Sequence, residues 1–144
     1  MNKELLVKDI LLKDICARMS YGVICSIYRI DDLNVGWRDE KLSGYFYNGT
    51  SYEFYFGETP ISIDNDISKI KPYLRPMYSM TDEEVKEYKA FHCVVYEHTY
   101  FYPQFCTVAN ELNMFDWLNK KMFDYRGLIG KGLALEAPEG MYDN

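Results

Sequence analysis

The chain contains no uninterrupted apolar run of membrane-spanning length. Its first residues, Met1-Asn2-Lys3-Glu4-Leu5-Leu6-Val7-Lys8-Asp9, break their apolar positions with charge every few residues. A helical span needs about 20 apolar residues and a secretory leader an apolar centre of about 7–15. Membrane partners are therefore not expected, and a cytoplasmic location is. Cysteine is sparse and scattered, with Cys16, Cys25, Cys93 and Cys106 forming no C-x-x-C pair. A domain of 144 residues can bury a core without covalent staples, so these read as reduced thiols.

Histidine is limited to His92 and His98, which with Cys93 and Cys106 make the one grouping of metal-ligand residue types. The grouping lacks the second close ligand pair of zinc sites. It also lacks an acid at a recognisable position for a Cys-His nucleophile. Buried cysteines and surface histidines are the plainer reading, so no metal and no cofactor is assigned. Gly127-Leu128-Ile129-Gly130-Lys131-Gly132 has the composition of a phosphate loop without its context, because no Lys-Ser/Thr pair opens a following helix. Carboxylates are numerous but scattered, and no pair lies in an apolar setting that would split its acidities. No catalytic residue is assigned, and the chain is not expected to be an enzyme.

Positive charge is in deficit as well. Lysine and arginine number 16 against 22 acidic residues, a net charge of −6 with a pI near 4.9, so no whole-molecule attraction to phosphate backbones exists. Aromatic residues, in contrast, are plentiful, with 14 tyrosines, 8 phenylalanines and 2 tryptophans, and the candidate functional residues lie among them.

The pattern predicts a single α+β domain over 1–144, with a helix and small sheet in 1–76 and a mainly helical part in 77–144. Lys3 to Met19 reads as a helix with Leu5, Leu12, Cys16 and Met19 along one side and Gly22 as its stop. Val23 to Ile30 reads as a strand. Tyr45-Phe46-Tyr47-Asn48-Gly49-Thr50-Ser51-Tyr52 reads as a hairpin with a two-residue Asn-Gly turn. That turn sets Tyr45 opposite Tyr52 and places Tyr45, Tyr47, Tyr52 and Phe54 on one face, with Leu42, Phe46 and Tyr55 on the other. A further strand is expected at Pro60 to Ile63, and the β part ends near Leu74. These strands suggest a strongly bent antiparallel sheet, with an SH3-like barrel as its closed form.

Thr81 and Glu84 form a capping box that starts a helix at Asp82. The helix runs to about Tyr96 and an aromatic loop follows. From Thr107, the spacing Val108, Leu112, Phe115, Leu118 and Met122 predicts a second helix with an apolar stripe. A short helix capped by Asp124 should end near Gly130 or Gly132, with an extended tail after Glu136.

Three islands resemble a family of short uncharacterised proteins encoded in prophages and other mobile elements of gut anaerobes. They are Lys13-Asp14-Ile15-Cys16-Ala17-Arg18-Met19 with Tyr21-Gly22-Val23, then Ile70-Lys71-Pro72-Tyr73-Leu74-Arg75-Pro76-Met77 with Ser79-Met80-Thr81, and the closing run from Asp116 to Tyr142. The closing run is the most specific. The resemblance implies a mobile-element context and no activity. Positions matching Lys121 and Met122 are often histidines in that family, and this chain lacks them, so no metal or acid-base role is implied there.

Two sets of residues are candidates for interaction. Trp117 falls opposite the apolar stripe of its helix, beside Asn110, Asn113 and Lys121. Either the segment from Phe123 to Leu135 covers it, or it is an exposed anchor that with Tyr125 and Arg126 has the composition of an interface hot spot. Tyr45, Tyr47 and Tyr52 could stack bases, with Arg29, Arg38 and Lys41 in the same half. The residues from Met1 to Pro72 nevertheless hold 9 basic and 11 acidic side chains, so nucleic-acid binding ranks second. The leading expectation is a non-enzymatic accessory protein that binds another protein or its own copy. A small metal-binding protein or enzyme ranks third.

Overall fold

The computed structural model describes residues 3–30, 35–47, 49–57, 59–62, 67–98 and 103–143. Helix α1 (Lys3–Arg18) is followed by strands β1 (Ile24–Ile30), β2 (Val35–Lys41), β3 (Gly44–Tyr47), β4 (Tyr52–Phe56), β5 (Thr59–Ser62) and β6 (Ile70–Leu74). Helices α2 (Asp82–His98) and α3 (Pro103–Lys120) and the two-residue strand β7 (Leu135–Glu136) complete the α+β fold. The strands form two sheets, β2-β1-β6-β7 and β3-β4-β5. Among the described residues neither closes into a barrel, so the SH3-like alternative is not realised.

The two sheets meet at a corner. Leu42 N–H donates to Val23 O at the end of the first ladder, and Ser43 N–H donates to Tyr55 O at the start of the second. The chain thus changes sheets within two residues, which is the strong bend expected. Arg29 pins the corner by donating to Glu40 Oε2 at 2.8 Å and to Phe56 O at 2.6 Å. The inner faces of both sheets, α1 and the closing run share one core that includes Leu11, Ile15, Val23, Cys25, Ile27, Phe54, Ile70, Met122 and Leu128.

Local chemistry explains most element boundaries. Gly22 ends the first helical segment at φ 79°, a left-handed conformation that glycine adopts without penalty. Its Cα lies under Lys41, whose Cε would come within 2.6 Å of an added Cβ. The capping box forms as expected, with Glu84 N–H donating to Thr81 Oγ1 and Thr81 N–H to Glu84 Oε1. Pro103 opens α3, where its missing N–H costs nothing.

Several expectations are corrected. The tyrosine hairpin pairs Tyr47 with Tyr52 and Tyr45 with Phe54, where a two-residue Asn-Gly turn would set Tyr47 opposite Thr50 and Tyr45 opposite Tyr52; Asn48 itself lies outside the described residues. Each partner moves by two positions, and a shift of two preserves the face assignment. Strands β2 and β6 were not expected, and β6 contains Pro72. Leu42 pairs by hydrogen bond with Val23, and bonded pairs alternate along antiparallel ladders. In the registers observed, Cys25 therefore bonds to β2, and its pairing with Pro72 is a non-bonded position that needs no N–H. Strand β7 pairs parallel to β6, so the first sheet is not purely antiparallel.

On α1 the buried face is centred on Leu11, Asp14, Ile15 and Arg18, while Leu12, Cys16 and Met19 lie at its margin. On α3, Leu112 and Phe115 are exposed instead of forming the inner stripe. Among the described residues no helix follows Asp124. Its carboxylate accepts Leu128 N–H at 2.8 Å and Ile129 N–H at 2.9 Å, and this holds a series of turns. The tail also turns at Pro138 to Met141 instead of remaining extended. The expected aromatic loop at Thr99 to Tyr102, residue Ile63 and the side chains of Leu5 and Val108 lie outside the described residues.

Candidate interaction surfaces

The outer face of the first sheet carries the clearest exposed apolar cluster. Cross-strand partners in an antiparallel pair point to the same face. The register sets Ile30 opposite Val35 and Tyr28 opposite Trp37, so all four side chains gather at one end of the β1–β2 pair. Ile30 is 69% exposed, Val35 63% and Trp37 51%. The Tyr28 and Trp37 rings meet edge to face at 5.6 Å. Further along the same face Tyr73 donates to Asp39 Oδ1 at 2.8 Å; loss of solvent and this carboxylate hold the phenol above its ordinary pKa. The sequence reading missed this surface. Its signal was the alternation Val35-x-Trp37-x-Asp39-x-Lys41, a period of two in a stretch without the β-branched density that marks a strand.

The tyrosine hairpin is the second surface. Tyr45 and Tyr47 are exposed and Tyr52 is half-buried. Their rings touch one another, with Tyr47–Tyr52 centroids 4.9 Å apart and Tyr45–Tyr52 6.0 Å apart, and Tyr45 also leans on buried Phe54. Phe46, on the opposite face, is exposed too.

The candidates of the closing run are placed differently. Trp117 is half-buried, stacked on Phe123 at 5.6 Å and flanked by Tyr88 and Phe91 of α2. Its indole N–H donates to Glu87 Oε2 at 2.7 Å. The cover comes from Phe123 and from α2 rather than from the whole segment Phe123 to Leu135. Tyr125 donates to Asn119 Oδ1 and accepts from Arg126 Nη2. Arg126 Nε reaches Asp14 Oδ1 at 3.2 Å. Asp14 is fully buried and bonds both oxygens to fully buried Arg18, whose Nη2 also donates to Phe123 O at 2.7 Å. Arg18 Nη1 has no acceptor among the described residues. Tyr125 and Arg126 thus belong to a polar network tying the closing run to α1.

A second ion pair fixes the other side of the run. Arg75 donates to both oxygens of Glu84 at 2.8 and 2.7 Å, and its guanidinium lies 4.3 Å over the Phe123 ring. The Arg75 hydrogen bonds, with help from Thr81, hold the Glu84 carboxyl down to about 2 despite its burial. A polar cleft of about 400 Å³ runs past Arg75, Ser79, Thr81, Glu136 and Tyr142. The cation of this cleft, half-buried Arg75, is engaged by Glu84, and Ser79 donates its hydroxyl to Pro76 O.

The side chains of His92, Cys93, His98 and Cys106 lie outside the described residues. Among the described residues no group of three or more histidine, cysteine or acidic side chains could hold a metal ion. Burial pushes the thiols of Cys16 and Cys25 up, with Asp14 adding to the effect at Cys25, and a raised thiol pKa weakens nucleophilicity at neutral pH. Among the described residues no helix is long and apolar enough to cross a membrane. No family model, curated protein or solved structure matches the chain.

Proposed function

We propose that this chain is a non-enzymatic protein-binding module whose contact surface is the outer face of the β1–β2 pair. The observation that supports the reading is the grouping of Ile30, Val35 and Trp37, each more than half exposed, around Tyr28. A tryptophan seated among aliphatic side chains and rimmed by Asp39 and Lys41 has the anatomy of an interface centre with a charged margin. The mobile-element resemblance makes an accessory role in a phage or mobile-element programme the matching context.

A photo-crosslinking amino acid in place of Val35 tests this in the native host. One protein partner should be trapped, with the yield falling at least about tenfold on Trp37→Ala in a chain that keeps its melting temperature. Trapping that ignores Trp37→Ala would remove the surface from the proposal. Exposed Tyr45 and Tyr47 favour a second reading, stacking on single-stranded nucleic acid. Nuclease-sensitive, steeply salt-dependent recovery lost on Tyr47→Ala would put that reading first.

A further inference from the structure

We infer that β2 is a docking edge for an extended polypeptide segment, which adds to the first sheet as an antiparallel strand. This deepens the protein-binding reading and rests on it. Strand β2 pairs only with β1, and among the described residues no strand lies along its other side. Leu42 N–H donates to Val23 O, and alternation along the register then directs the backbone groups of Gly36, Arg38 and Glu40 toward β1. The N–H and C=O groups of Val35, Trp37, Asp39 and Lys41 therefore point away from the sheet. The same four residues present their side chains on the outer face. An arriving strand would meet a row of main-chain donors and acceptors together with the apolar cluster, the combination by which strand addition obtains affinity and specificity.

Such an edge is usually blunted by proline, a bulge or a covering element. β2 has no proline, and its four consecutive charges are positive at the ends, Arg38 and Lys41, and negative between, Asp39 and Glu40. That order disfavours a second copy as the occupant. A two-fold axis at residue 38, 39 or 40 would set Arg38, Asp39 or Glu40 against its own copy, and like charges directly opposite are destabilising. Moving the axis to Trp37 would place Val35 against Asp39. Area leads to the same conclusion, because three such exposed side chains offer on the order of 300 Å², against about 800 Å² per partner in a stable interface. A short segment fits where a folded copy does not.

Complementarity defines the segment. Read antiparallel, it needs an acidic residue opposite Lys41, a basic one opposite Asp39, and apolar residues opposite Trp37 and Val35, each separated by one residue. The capped heptapeptide Glu-Thr-Lys-Thr-Ile-Thr-Val is therefore the probe, titrated into the isotope-labelled full chain and followed by amide NMR. Shifts should concentrate on the amides of Val35, Trp37, Asp39 and Lys41. N-methylation of the peptide at its Lys and Ile positions removes two inter-strand donors without altering side chains, and binding should weaken at least about tenfold. Asp39→Pro, which removes an outward N–H, should have a parallel effect. The N-methyl peptide decides the matter should that variant misfold.

Equal binding of both peptides would overturn edge pairing and leave the apolar face as the site. No response to the unmodified peptide would also overturn it. In that case a crosslinked partner that still depends on Trp37 keeps the broader protein-binding reading intact. Concentration-dependent dimerisation abolished by Asp39→Pro would replace the foreign segment with a second copy.

Discussion

The closing run and the β1–β2 pair are both rich in aromatic and charged residues, yet one turns them inward and the other outward. In the closing run each specific residue has a structural partner. Asp124 caps turns, Arg126 joins Asp14, Trp117 stacks on Phe123, and the Tyr142 hydroxyl sits between β1 and β6, donating to Tyr73 O at 2.7 Å and accepting Ile24 N–H at 3.0 Å. The outer face of β1–β2 instead leaves three large apolar side chains more than half exposed. Density of unusual residues marks a demanding fold as readily as a functional site. Exposure separates the two.

The largest test of this comparison removes the buried cation of the closing run's network. Arg18→Met leaves Asp14 buried beside only Arg126 and frees Phe123 O, so stability should fall by about 3–5 kcal/mol in denaturant titration. The double variant Asp14→Leu/Arg18→Met should recover most of that loss, because apolar replacement of both partners avoids an uncompensated charge.

The next effect is read through pH. Arg75 holds the folded Glu84 carboxyl at about 2, below its ordinary value near 4.5. The folded state is therefore favoured above the unfolded pKa, and this contribution disappears as pH falls from about 5 toward 2. Glu84→Gln should flatten that limb of the stability curve, a difference of about 2–3 kcal/mol at neutral pH. Tyr142→Phe should cost less, about 1–2 kcal/mol, by leaving Ile24 N–H and Tyr73 O without their bridge. Burial holds the Tyr142 phenol well above its ordinary pKa, so it remains a donor across the neutral range. Smallest of all, Trp37→Ala should change stability by under about 1 kcal/mol while abolishing partner capture. A loss comparable to that of Arg18→Met would show that the outer face is structural and would dissolve the contrast.

Much of the secondary structure was legible because it is locally encoded. Thr81 and Glu84 cap each other across one turn, and Gly22 supplies the positive φ that ends the helical start. The faces of the tyrosine hairpin survived a different register, since the shift moved each partner by two. Strand β6 was hidden by Pro72, whose tolerance depends on which side of β1 it occupies. The end of α3 was hidden for a related reason. Met122 adopts φ 63° where glycine is usual. Phe123 N–H bonds to Leu118 O and Met122 N–H to Asn119 O around it. The strain of about 1 kcal/mol is borne because the Met122 side chain is buried in the core.

The candidate site was less legible than the fold. Periodicity states which residues share a face, but what packs on that face is a property of distant chain. Trp117 was read as opposite its helix's apolar stripe, and α2 and Phe123 cover it there, whereas Leu112 and Phe115 of the stripe itself are exposed.

By itself the sequence determined the α+β class, the start of α2, the stop after α1 and the faces of the hairpin tyrosines, because propensity, capping and side-chain alternation act within a few residues. Only the tertiary structure decided that Asp14 and Arg18 are buried, that Trp117 is covered and that Trp37 faces outward. Those outcomes depend on contacts between residues as far apart as Arg18 and Phe123, and no local pattern encodes which of two amphipathic faces the rest of the chain will cover.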